Sequence, residues 1–80
     1  MYYDVVVSIY EEIGDNNCCD VRIDSHLICG GFKTEDEAME YINNNEINEY
    51  KYCYSDKEYP CIEIEEHTDQ DVCVSVITVD

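Results

Sequence analysis

Positive charge is what this 80-residue chain has least of: four Lys and Arg stand against twenty Asp and Glu, a formal charge of -16. A surface so poor in cations repels phosphate backbones and anionic lipid headgroups, so neither nucleic acid nor a membrane surface is expected as a direct partner. No apolar run approaches the roughly 18 residues of a membrane helix, and Met1-Tyr2-Tyr3-Asp4 lacks the basic flank of an export signal. The expectation is a cytoplasmic protein. Tryptophan is absent and Phe occurs once, leaving eight tyrosines to supply nearly all the aromatic surface.

Histidine is scarce too. His26 and His67 are the only imidazoles, and no Ser or Cys motif of a known nucleophile type accompanies them. Both are expected on strand exteriors or near turns, solvated, with no catalytic residue assigned. The six cysteines (Cys18, Cys19, Cys29, Cys53, Cys61, Cys73) lack the C-x2-C spacing of structural zinc sites. In a cytosolic chain they are expected as reduced thiols that behave as small hydrophobes. Asp15-Asn16-Asn17 opens like a calcium loop, but the sixth and twelfth positions hold Asp20 and His26 where Gly and Glu are needed. No cofactor and no dedicated metal site are expected.

What is present is ordered alternation. Tyr3, Val5, Val7 and Ile9 alternate with Asp4, Val6, Ser8 and Tyr10, the period of two that marks a strand. After the turn Gly14-Asp15-Asn16-Asn17, Cys19, Val21, Ile23, Ser25, Leu27 and Cys29 are placed inward and Cys18, Asp20, Arg22, Asp24 and His26 outward, completing a hairpin. Gly30-Gly31 ends it. Thr34-Glu35-Asp36-Glu37 has capping-box spacing and opens a helix with the stripe Ala38, Met39, Tyr41 and Ile42, ending near Asn43-Asn44-Asn45. Tyr50, Tyr52 and Tyr54 alternate with Lys51 and Cys53 in what fits a short edge strand. Cys61 to Glu66 then places Ile62 and Ile64 inward with Glu63 and Glu65 outward, Thr68-Asp69-Gln70-Asp71 turns the chain, and Val72, Val74 and Val76 form the inward side of a last strand.

The expected fold is therefore one α+β domain over residues 1–80: an antiparallel sheet of four to five strands with one helix on one face. Its core is expected from Val5, Val7, Ile9, Val21, Ile23, Leu27, Ile42, Ile62, Ile64, Val74 and Val76.

The surplus of carboxylates exceeds the magnitude of about 2 to 8 that solubility asks of a small domain, and self-repulsion makes it costly. A disordered acidic tail fits poorly with 45% apolar residues in alternation; high-salt solubility fits poorly with the Cys and Ile content. A partner with a basic surface remains. Alternate residues of a strand lie about 6.6 Å apart, a spacing of the same general size as the phosphates of an extended nucleic-acid strand. Glu63 with Glu65, and Asp20 with Asp24, can thus imitate a phosphate row, extended at strand ends and turns by Glu11, Glu12, Asp15, Glu66, Asp69 and Asp71. Placed on a solvent face, Glu63 and Glu65 should tolerate charge reversal. Glu35, Asp36 and Glu37 are explained by the helix dipole.

In size, carboxylate excess, Asn, Ile and Tyr content, and strands around one helix opened by Thr34-Glu35-Asp36-Glu37-Ala38, the chain resembles the small acidic inhibitors of phages and mobile elements, a class that includes anti-CRISPR proteins and nucleic-acid mimics. The resemblance implies inhibition by occupying a basic nucleic-acid channel or by blocking recruitment of an effector. A different reading of the same residues is a small assembly module, a homodimer through a strand edge, whose acidity serves solubility.

Overall fold

A computed structural model describes residues 1–13 and 19–79. Strand β1 (Tyr2–Ile13) pairs with β2 (Cys19–Phe32), α1 (Glu35–Asn44) and a single 3-10 turn (Glu49–Tyr52) follow, and β3 (Glu58–His67) and β4 (Cys73–Thr78) complete the chain. The sheet runs β2-β1-β3-β4, antiparallel throughout. This is the expected α+β fold, with four strands among the described residues. The turn at residues 14–17, the candidate Asp15 and Cys18 lie outside those residues.

The helix begins where its capping residues dictate. Thr34 is extended, and its Oγ1 accepts from the Glu37 amide at 3.1 Å. Glu37 reaches back to the Lys33 amide at 3.2 Å, one residue earlier than a standard capping box. At the other end Asn45 Nδ2 donates to the Tyr41 carbonyl at 2.8 Å, satisfying one orphan acceptor. Ala38 is fully buried, and its small side chain brings α1 against Val5 and Ile64, with Phe32, Ile42, Ile62 and Ile77 around them.

The central strand is covered on both faces: Val5, Val6, Val7, Ser8 and Ile9 are all buried. Val6 and Ser8, expected outward, are enclosed because the face opposite the helix is roofed by its own long side chains. Five expected core residues are not in the core: Val21, Ile23, Leu27, Val74 and Val76 are 43 to 66 % exposed. Leu27 and Val76 pair with Val6 and Glu65 on the face that α1 does not cover, and on the helix side a ten-residue helix, about 15 Å long, falls short of a molecular long axis of 40 Å.

The alternation on β2 also changes side. Register shifts in the β1–β2 ladder pair Val6 with Leu27, Val7 with His26, Ser8 with Ser25 and Ile9 with Asp24. His26 and Asp24 thus share the helix side with Val7 and Ile9, while Ser25 and Leu27 share the other; a one-residue shift exchanges the faces. The expected strand around Tyr50, Tyr52 and Tyr54 is a 3-10 turn running into irregular chain. Its Tyr52 stacks on His26 at 4.5 Å instead of joining a ladder. The third strand starts at Glu58 and includes Pro60, earlier than the expected start at Cys61. No helix among the described residues is long and apolar enough to cross a membrane.

Candidate interaction face

Cross-strand partners share a face, so the registers assemble the side of the sheet opposite α1. Tyr2, Asp4, Val6, Ser8 and Tyr10 of β1 stand beside His67, Glu65, Glu63, Cys61 and Tyr59 of β3, with Asp20, Arg22, Ser25 and Leu27 on one flank and Val76 and Thr78 on the other. The expected carboxylate row on β3 exists, but its centre is not solvated. Glu63 is 2 % exposed; it accepts from Ser8 Oγ and from Tyr10 Oη at 2.6 Å, with Arg22 Nε 4.0 Å away. Glu65 Oε2 accepts from Arg22 Nη2 at 2.6 Å. The guanidinium of this face is spent on these two residues, and neither presents a free carboxylate to a partner. For the same reason neither is expected to tolerate charge reversal.

The other candidates lie toward the ends. Glu12 and Asp20 are cross-strand partners, both exposed, at one end of the face. Exposed Asp69 and Asp71 lie in the β3–β4 turn at the opposite end, Asp71 with a left-handed φ of 63° that Asp tolerates. Asp69 holds the N-terminal amine at 2.6 Å. Glu11, opposite Glu58 and Val21, and Glu66, opposite Tyr3, are on the helix side, as is Asp24. The structure therefore gathers Glu12, Asp20, Glu63, Glu65, Asp69 and Asp71 at one face and its ends, and separates Glu11, Glu66 and Asp24 from them.

Sequence reasoning missed how these carboxylates are held. Tyr2 Oη donates to Asp71 at 2.6 Å, Tyr3 Oη to Glu66 at 2.7 Å, Tyr10 Oη to Glu63, and Tyr59 Oη to Asp20. A phenol orients a carboxylate without cancelling its charge, as a Lys or Arg would. The high Tyr and low Lys/Arg counts are thus two sides of one arrangement, and the only signal in the sequence was those counts. The imidazoles are also less solvated than expected. His67 stacks on Tyr2 at 5.0 Å with 14 % of its side chain exposed, and His26 keeps 30 %.

Hydrogen bonds to the carboxylates, followed by burial, push the phenols of Tyr2, Tyr10 and Tyr59 up to about 12, and that of Tyr3 upward as well. A folded-state value raised above the unfolded value of about 10 gives stability that is complete below pH 10 and disappears as pH rises through 12. The expected result is a tyrosinate absorbance titration in two stages, the late one coinciding with loss of sheet signal in circular dichroism. A single transition of all eight tyrosines near pH 10 with the fold intact would count against these bonds.

On the helix side, a depression of about 220 Å³ is lined by Ile28, Tyr41, Ile47 and Tyr52 among others; small-molecule sites usually measure about 300–1,000 Å³. Cys29, Cys53, Cys61 and Cys73 are unbridged. Comparison with protein-family models, with curated proteins and with solved structures finds no match to this chain.

Proposed function

We propose that the chain is a non-enzymatic inhibitor that binds a basic surface of a nucleic-acid-processing protein and keeps DNA or RNA off it; the compositional resemblance points to a CRISPR effector as the partner. The observation that carries this reading is that exposed Asp71 and Asp20, at the two ends of the face, are held in place by the hydroxyls of Tyr2 and Tyr59. Oriented but uncompensated charge is what a partner's Lys and Arg side chains can engage in place of phosphates, and complementary potentials speed encounter. With Glu63 and Glu65 internally committed and Asp69 paired with the N-terminal amine, the contacts fall to Glu12 and Asp20 at one end of the face and Asp71 at the other.

The test is displacement of labelled target DNA from purified CRISPR effector complexes. Reversing Glu12 and Asp20 to Lys together should weaken displacement at least tenfold, far more than reversing Glu35 and Asp36, and displacement should weaken as salt rises because exposed charges are screened within about 8 Å at physiological ionic strength. Equal losses at both pairs would mean diffuse charge without a defined face, and no displacement by the wild-type chain from any effector would remove that partner class.

A second reading, a homodimeric assembly module, is favoured by the exposed Val72, Val74 and Val76 in and beside the edge strand β4. An unpaired apolar edge is a template for strand addition. The two readings respond oppositely to salt: screening loosens an acidic inhibitor from a basic partner but strengthens association between two copies of an acidic chain, as sedimentation equilibrium would register.

A further inference from the structure

Where β1, β3 and β4 meet, an imidazole nitrogen of His67, a carboxylate oxygen of Glu65 and Sγ of Cys73 all lie within 4.8 Å of one another. We propose that these three residues form a binding site for a borderline divalent transition-metal ion, zinc being the ion their chemistry fits. Nitrogen, oxygen and sulfur donors together match zinc's preferences, and metal–ligand distances of about 2.0–2.3 Å set tetrahedral donor–donor distances of roughly 3.3–3.8 Å. His67 Nε2 is 3.1 Å from Glu65 Oε1, so a small adjustment of side chains completes the set.

The surroundings orient the donors. Arg22 engages Glu65 Oε2, leaving Oε1 turned to the imidazole. The Gly31 amide donates to Asp4 Oδ1 at 3.0 Å, leaving Oδ2 3.5 Å from His67 Nε2. Asp4 occupies room that exists because residue 30 has no side chain: a Cβ on Gly30 would overlap its carboxylate. Tyr2 stacks on the His67 ring with an interplanar angle of 9° and fixes its plane. Such outer partners set ligand orientation at metal sites. The fourth coordination position falls to water or to Asp4. The sequence hid this group because the register of β3 on β4 sets Cys73 opposite His67. The proposal is independent of the inhibitor reading.

The experiment is titration of the reduced full chain with Co²⁺ as a spectroscopic probe, followed by Zn²⁺ calorimetry. One equivalent should bind, with a thiolate-to-cobalt charge-transfer band that Zn²⁺ removes. Cys73→Ser should abolish the band and His67→Gln should weaken Zn²⁺ binding at least tenfold, while Cys29→Ser, Cys61→Ser and the Cys18→Ser/Cys19→Ser pair leave both unchanged. A band that survives Cys73→Ser, equal losses in the control variants, or no binding would overturn the proposal. Nitrogen NMR of the unsubstituted protein guards against variants that fail to fold. Zn²⁺ should shift the ring signals of His67 and not those of His26; a response from both or from neither would overturn it, the latter leaving a plain histidine–carboxylate contact.

Discussion

Replacing Glu63 by Lys should cost the chain a large fraction of its stability. The carboxylate is 2 % exposed and is the acceptor for Ser8, which is fully buried, and for Tyr10. A lysine there would strand both hydroxyls and force an ammonium beside Arg22 in a site closed to solvent. Removing one member of a buried ionic network costs about 3–5 kcal/mol, and a domain of 80 residues at roughly 0.05–0.15 kcal/mol per residue holds only about 4–12 kcal/mol in all. Glu63→Gln keeps the shape and one acceptor, so its cost should stay near 1–3 kcal/mol. Urea denaturation followed by circular dichroism distinguishes the two. A Lys variant with the parent's midpoint would mean that Glu63 faces solvent, as its place in the outward half of the alternation implies.

Ile64→Ala should be the most damaging apolar truncation. Ile64 is fully buried, pairs with Val5 across the β1–β3 ladder and forms the centre of the core with Val5 and Ala38. Truncation of a residue so enclosed costs about 2–5 kcal/mol, and in a domain of this size each kcal/mol moves the melting temperature by about 4–8 °C. Leu27→Ala is the matched contrast: the strand pattern assigns Leu27 to the core, but it is 66 % exposed, and its loss should lie within about 0.5 kcal/mol. Thermal melts of the two variants test which face of β2 Leu27 occupies. Similar shifts for both would mean that Leu27 lies under the helix and not on the open face with Val6.

By itself the sequence determined the element order, the helix boundaries and the inward residues of the strands that lie under the helix. Local chemistry was sufficient for these: Thr34 caps at its own position, and Val5, Val7, Ile62 and Ile64 follow a period of two that needs no knowledge of neighbours. Only the tertiary structure decided which faces are covered. The phase of β2 depends on bulges that no residue type announced, the exposure of Leu27 and Val76 on registers that set them on the face opposite α1, and the 3-10 turn at Glu49–Tyr52 on a stacking partner 26 residues earlier in the chain. The same holds for the carboxylates. Their number, and hence the overall field, is a property of composition. Whether a given one is buried like Glu63, tied to a guanidinium like Glu65 or held uncompensated by a phenol like Asp20 is set by cross-strand register. Register is a relation between segments distant in the chain, and alternation within either segment does not encode it.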